Sequence, residues 1–126
     1  MTDFDNAILR MSQRRAAREA VGEGGRHPYI LQNYLAVVRL LPKLLQRHGL
    51  AQTLAYLQVR AQGRTNSAYA LMGRQLDRWL LTNLGIADRS VLSAIVARDS
   101  RFYREASELA WQFVRALQES AKEEAR

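Results

Sequence analysis

From Ile30 to Leu45, apolar side chains return every three or four positions: Ile30, Tyr34, Val37, Val38, Leu41, Leu44 and Leu45. At about 100° per residue these fall on one broad face of an α-helix, and no packed strand buries such a pattern. Similar spacing recurs in Phe102, Ala106, Leu109, Ala110, Phe113 and Leu117. No segment sustains period-two alternation, and β-branched residues are few. The sequence therefore predicts an all-α, compact single-domain helical bundle over residues 1–126, with about five to six helices.

Punctuation divides the pattern. A first helix is expected over residues 3–21, capped by Thr2 or Asp3 and stopped by Gly22, Gly24 and Gly25. Residues 22–28 read as a flexible connection. A second helix runs from Tyr29 to His48, with Pro42 predicted to kink it by deleting the bond to the Val38 carbonyl. A third spans about Leu50 to Ala61 and ends at Gly63. Thr65 or Asn66 should cap a fourth that stops near Leu84, with Gly85 in the left-handed conformation. Asp88 should open a short fifth helix, and Asp99 or Ser100 a long sixth. Residues 119–126 read as a fraying, solvated helix end.

Charge narrows the function. The chain has 19 Lys and Arg against 12 Asp and Glu, a formal charge of +7. Only Lys43 and Lys122 are lysine. Arginine's planar fork pairs bidentately with phosphate and stacks on bases, although a GC-rich coding sequence would skew composition the same way. Between Glu23 and Asp77 no acidic residue occurs, while Arg26, Arg39, Lys43, Arg47, Arg60, Arg64 and Arg74 fall inside. Local ion pairs cannot neutralise such a surface, so it should attract an external polyanion.

Arg39, Lys43 and Arg47 stand at i, i+4 and i+8, opposite the apolar face of the second helix. A solvated face would tolerate them at the cost of mutual repulsion, whereas phosphate laid across them removes it. Arg60, Arg64, Arg74 and Arg78 join the candidates for binding nucleic-acid phosphate on charge pattern. On the last helix Arg101, Arg104, Trp111, Arg115 and Lys122 gather opposite the apolar face, the first four as candidates for contact with nucleic acid or a subunit. Glu105 and Glu108 are spaced to pair with those arginines, and Trp111 could equally plug the edge of the core. Trp79, beside Met72 and Leu76, reads as core.

Catalytic signatures are missing. His27 and His48 have no HxxxH or HExxH companion, no serine sits in a GxSxG elbow, and no Walker segment occurs. No enzyme, metal or cofactor is expected. Without cysteine the chain suits a reducing cytosol, and no apolar run approaches the roughly 20 residues of a membrane span. A cytoplasmic protein with no membrane partner is expected.

Residues 34–63, YLAVVRLLPKLLQRHGLAQTLAYLQVRAQG, carry a more specific pattern. An aromatic residue (Tyr34) and a base (Arg39) precede Leu41-Pro42. The apolar pair Leu44-Leu45, the turn His48-Gly49-Leu50 and the run Thr53-Leu54-Ala55-Tyr56 follow in register. This resembles the small subunit of the type III-B CRISPR effector, the Cmr complex. Asp99-Ser100-Arg101-Phe102-Tyr103-Arg104, then Glu105-Ala106 and Trp111, also fit that family's last helix. Members often carry Asn at the position of His48 and Lys at positions that are Arg here. The resemblance implies a non-catalytic subunit stacking in several copies as a filament along the guide RNA and target RNA, beside the backbone and large subunits, for antiviral defence. It carries RNA contact over to Arg39 and Lys43. Two other readings stay open: a DNA-binding helix-turn-helix regulator turning at His48-Gly49, and a protein-only interaction module.

Overall fold

A computed structural model describes residues 3–26, 30–64 and 67–124, without the side chains of 3–6 and 124. Among the described residues five helices follow in order: α1 (Asp3–Gly25), α2 (Leu31–Ala61), α3 (Ala68–Leu84), α4 (Val91–Ala97) and α5 (Ser100–Glu124). No strand occurs among the described residues. One core joins them. Val21 of α1, Tyr34, Val38 and Leu41 of α2, Met72, Leu76 and Leu80 of α3, Val91 of α4, and Phe113 and Leu117 of α5 are all buried. Trp79 lies in this core as expected, stacked on Phe113 with ring centroids 4.7 Å apart and planes 5° off parallel. Its indole N–H is buried without a partner among the described residues.

Two expectations about helix breaks need correction. α1 does not stop at Gly22 but continues through Gly24 to Gly25. Gly24 is there for contact: a Cβ on it would lie 2.7 Å from Cδ1 of the buried Tyr34 ring. That ring is fixed at its far end, where the hydroxyl donates to Gln75 Oε1 at 2.7 Å. Gln75 in turn donates to the Ala20 carbonyl at 2.9 Å and to Glu23 at 2.8 Å, tying α1, α2 and α3 together. Gly24→Ala should therefore destabilise the protein by about 1–2 kcal/mol, overpacking against the ring outweighing the helix-propensity gain. Nothing lies within 4 Å of a Cβ at Gly22. There the same substitution should stabilise by about 0.5–1 kcal/mol. Urea unfolding of the two variants checks the opposite signs.

The second correction concerns α2. Pro42 keeps helical dihedrals, and the non-helical residue within α2 is Gly49 (φ 82°, ψ 174°), at the boundary expected between the second and third helices. The proline forfeits one backbone bond, which a helix packed along its length absorbs. A positive φ with extended ψ cannot belong to a helix at all. The broken turn is held from two sides: Thr53 Oγ1 donates to the Gly49 carbonyl at 2.8 Å, and Ala51 N–H donates to the Tyr103 hydroxyl at 3.2 Å. A Cβ at Gly49 would meet that hydroxyl at 2.9 Å. The second and third expected helices are thus the halves of α2, on either side of Gly49.

The remaining caps are close to expectation. Gly85 is left-handed (φ 66°, ψ 34°) and ends α3. Ser67 caps α3 by accepting from Ala70 N–H at 3.0 Å, while Thr65 and Asn66 lie outside the described residues, as do Thr2, Pro28 and Tyr29. Asp99 accepts from Phe102 N–H at 3.0 Å and caps α5. Ser90, not Asp88, caps α4, accepting from Ser93 N–H at 3.1 Å. Asp88 is engaged elsewhere, receiving both terminal nitrogens of Arg98 at 2.8 and 2.9 Å.

Candidate nucleic-acid interface

The first half of α2 divides as its sequence requires. Tyr34, Val37, Val38 and Leu41 are buried, while Arg39, Lys43 and Arg47 are exposed on the other side. Among the described residues none of these three cations has an ion-pair partner. Their spacing repeats at about 6 Å of rise along the helix, close to the phosphate-to-phosphate spacing of an extended strand. The row does not end with α2. Lys122, near the end of α5, shares a small cleft with Arg39, floored by Leu35, Val38 and Ala121. Sequence spacing placed Lys122 on the polar side of the last helix but could not reveal its meeting with Arg39, because only the packing of α5 on α2 brings the two together.

The other expected contacts are dispersed. Arg60, near the end of α2, lies over the Tyr69 ring with its guanidinium carbon 5.3 Å from the centroid. Arg64 and Arg74 line one groove of about 500 Å³ with Tyr69 and Asp77. Arg78 faces a different groove, between α1 and α3, where it joins Arg26, Glu19 and Glu23. Arg101 and Arg104 are exposed at the start of α5, and Arg101 stands 3.8 Å from Glu105. Trp111 is half-buried: Arg115 lies over its ring at 5.8 Å, and it borders a cleft with Leu45, Gly49 and Tyr103.

Trp111 and Arg115 also line a groove of about 640 Å³ together with Arg10 and Arg14 of α1. Those two arginines were not among the expected site residues. The signal was present, since Arg10, Arg14 and Arg18 have the same i, i+4, i+8 spacing as the α2 row, and all three are exposed. A second basic row therefore lies on α1, beside the aromatic residue of α5.

Two carboxylates differ in charge behaviour. Hydrogen bonds from Arg98, reinforced by its charge, hold Asp88 below the usual carboxylate range. Asp77 is lifted above it by burial, against the opposing effect of the Val91 N–H it accepts at 3.2 Å. A carboxylate raised on folding weakens the fold once pH exceeds its folded pKa, and costs nothing below its unfolded pKa. Asp77→Asn keeps an acceptor for Val91 and discards the charge. It should raise the Tm by ~1–4 °C at neutral pH, with the gain vanishing as pH falls through the ordinary carboxylate range. Thermal melts at several pH values check this.

No three histidine or acidic side chains are placed to hold a metal ion among the described residues. No helix among them is long and apolar enough to cross a membrane. What the fold and surface define is a small all-helical protein with cation rows on separate helices. The sequence pattern of the family described as CRISPR-associated protein (Cas_Cmr5) matches residues 11–123, nearly the whole chain. The chain belongs to that family, the small subunits of the type III-B Cmr complex. No curated protein matches it.

Proposed function

We propose that this subunit holds the sugar-phosphate backbone of RNA within the type III-B effector and carries out no chemistry itself. The row Arg39, Lys43 and Arg47, exposed, aligned and continued by Lys122, carries the reading. Such a row neutralises successive phosphates without reading bases, as a subunit serving any guide RNA and target RNA requires. The second row on α1, with Trp111, offers a separate face for the backbone and large subunits or for further copies of the chain in a filament. A helix-turn-helix regulator fits less well. Its helices are joined by a turn of about three to four residues, whereas a single residue, Gly49, leaves helical geometry between the halves of α2.

Purification of the native complex under mild salt, followed by mass spectrometry and RNA sequencing, tests the proposal. Guide RNA together with several larger RNA-binding subunits is the expected content. Recovery with protein partners but no RNA would overturn it in favour of an interaction module.

A further inference from the structure

We infer that the groove between the second half of α2, α3 and α4 is a pocket for one unpaired nucleotide of RNA, its base held between Tyr69 and Asp77 and its phosphate at Arg64 and Arg74. This rests on the RNA-holding reading and adds a site that the α2 row does not include.

The volume of about 500 Å³ falls within the roughly 300–1,000 Å³ range of small-ligand pockets. Its walls are chemically mixed in a way that selects among ligands. Leu54 and Leu57, both buried, supply an apolar floor, and Tyr69 supplies an aromatic side. The Tyr69 ring is braced by Arg60 and by Tyr56, whose ring meets it edge-on at 6.3 Å. Asp77 presents a carboxylate whose Oδ1 is occupied by Val91 N–H, while Oδ2 has no protein donor among the described residues. Arg64 and Arg74 are exposed at the same groove.

A bare phosphate would suit the two arginines but be repelled by the aspartate. A basic peptide would suit the aspartate but be repelled by the arginines. A nucleotide satisfies both, because it joins an anion to a flat ring whose edge carries N–H donors.

Gly73 is an independent indication. It lies inside α3, where glycine costs about 1 kcal/mol relative to alanine. Close packing does not demand it, since a Cβ there would meet nothing nearer than Leu57 Cβ at 3.9 Å, an ordinary contact. Gly73 lines the groove, so its bare backbone keeps the space open.

Fluorescence anisotropy of the full chain at low salt, with labelled oligoadenylate and an abasic strand of equal length, provides the test. Oligoadenylate should bind about 5- to 150-fold more tightly, the range one base gains against an aromatic side chain. Gly73→Leu should fill the groove and erase that preference while leaving abasic binding intact. Tyr69→Ala should reduce the preference too, which guards against a folding defect in the leucine variant. Equal binding of both strands by the unaltered chain overturns the pocket but leaves backbone holding in place. If neither strand binds, both readings fall. A preference that survives Gly73→Leu with an unchanged circular dichroism spectrum also overturns the pocket. So does a Gly73→Leu chain that keeps the preference but no longer joins the other subunits, which would make the groove a protein contact.

Discussion

Changing Arg39, Lys43 and Arg47 together to glutamate should weaken RNA binding by at least ~100-fold at low salt and flatten its dependence on salt. Each cation that neutralises a phosphate releases a condensed counterion, worth about 0.7 in the slope of log K against log salt for a single strand. Losing all three should reduce the slope by about 2. The three residues are exposed and unpaired among the described residues, so the fold should keep its stability. Arg101→Glu is the natural contrast, since its charge already stands 3.8 Å from Glu105. It should cost far less. Filter binding across a salt series reads all of this, and unchanged low-salt binding by the triple variant would remove the α2 row from the mechanism.

Phe113→Ala should destabilise the protein by about 3–5 kcal/mol and lower its Tm by about 10–20 °C. Phe113 is fully enclosed, and its stacking partner Trp79 is the largest side chain of the core. Removing the ring loses its transfer from water and opens a cavity. The stack cannot close over that gap, because Trp79 is held by its place in α3 between Leu76 and Leu80, both buried. A loss of that size is a large part of the roughly 5–15 kcal/mol by which a domain of this length is stable. Calorimetry measures it directly. A Tm within a few degrees of the unaltered protein would mean that the core repacks around the hole.

The buried faces were legible in the sequence because helical spacing alone determines them. Tyr34, Val37, Val38 and Leu41 of α2, and Ala106, Ala110, Phe113 and Leu117 of α5, are buried as their periodicity implies. The same spacing placed Arg39, Lys43 and Arg47 on the outside. What spacing could not supply is the partner of each residue. Gly24 and Gly85 look alike in sequence, yet one lets Tyr34 approach and the other turns the chain. Asp88 looked like a cap and is instead held by Arg98, ten residues later, leaving Ser90 to cap α4. Arg39 with Lys122 and Arg10 with Trp111 are meetings between helices, and Arg64, in the connection after α2, meets Arg74 and Tyr69 of α3. Helical periodicity assigns a residue to a face and is silent about which face it will meet.

Gly49 gives α2 the character of a jointed arm. Ahead of the joint lies the cation row; beyond it lie Leu54, Leu57 and Arg60, beside Tyr69. One backbone rotation at a residue without a side chain, latched by the hydroxyl of Tyr103, sets the angle between the two surfaces. Both halves are anchored in the same core, so the two surfaces keep a fixed angle, and a strand touching both must follow the bend set at this one residue.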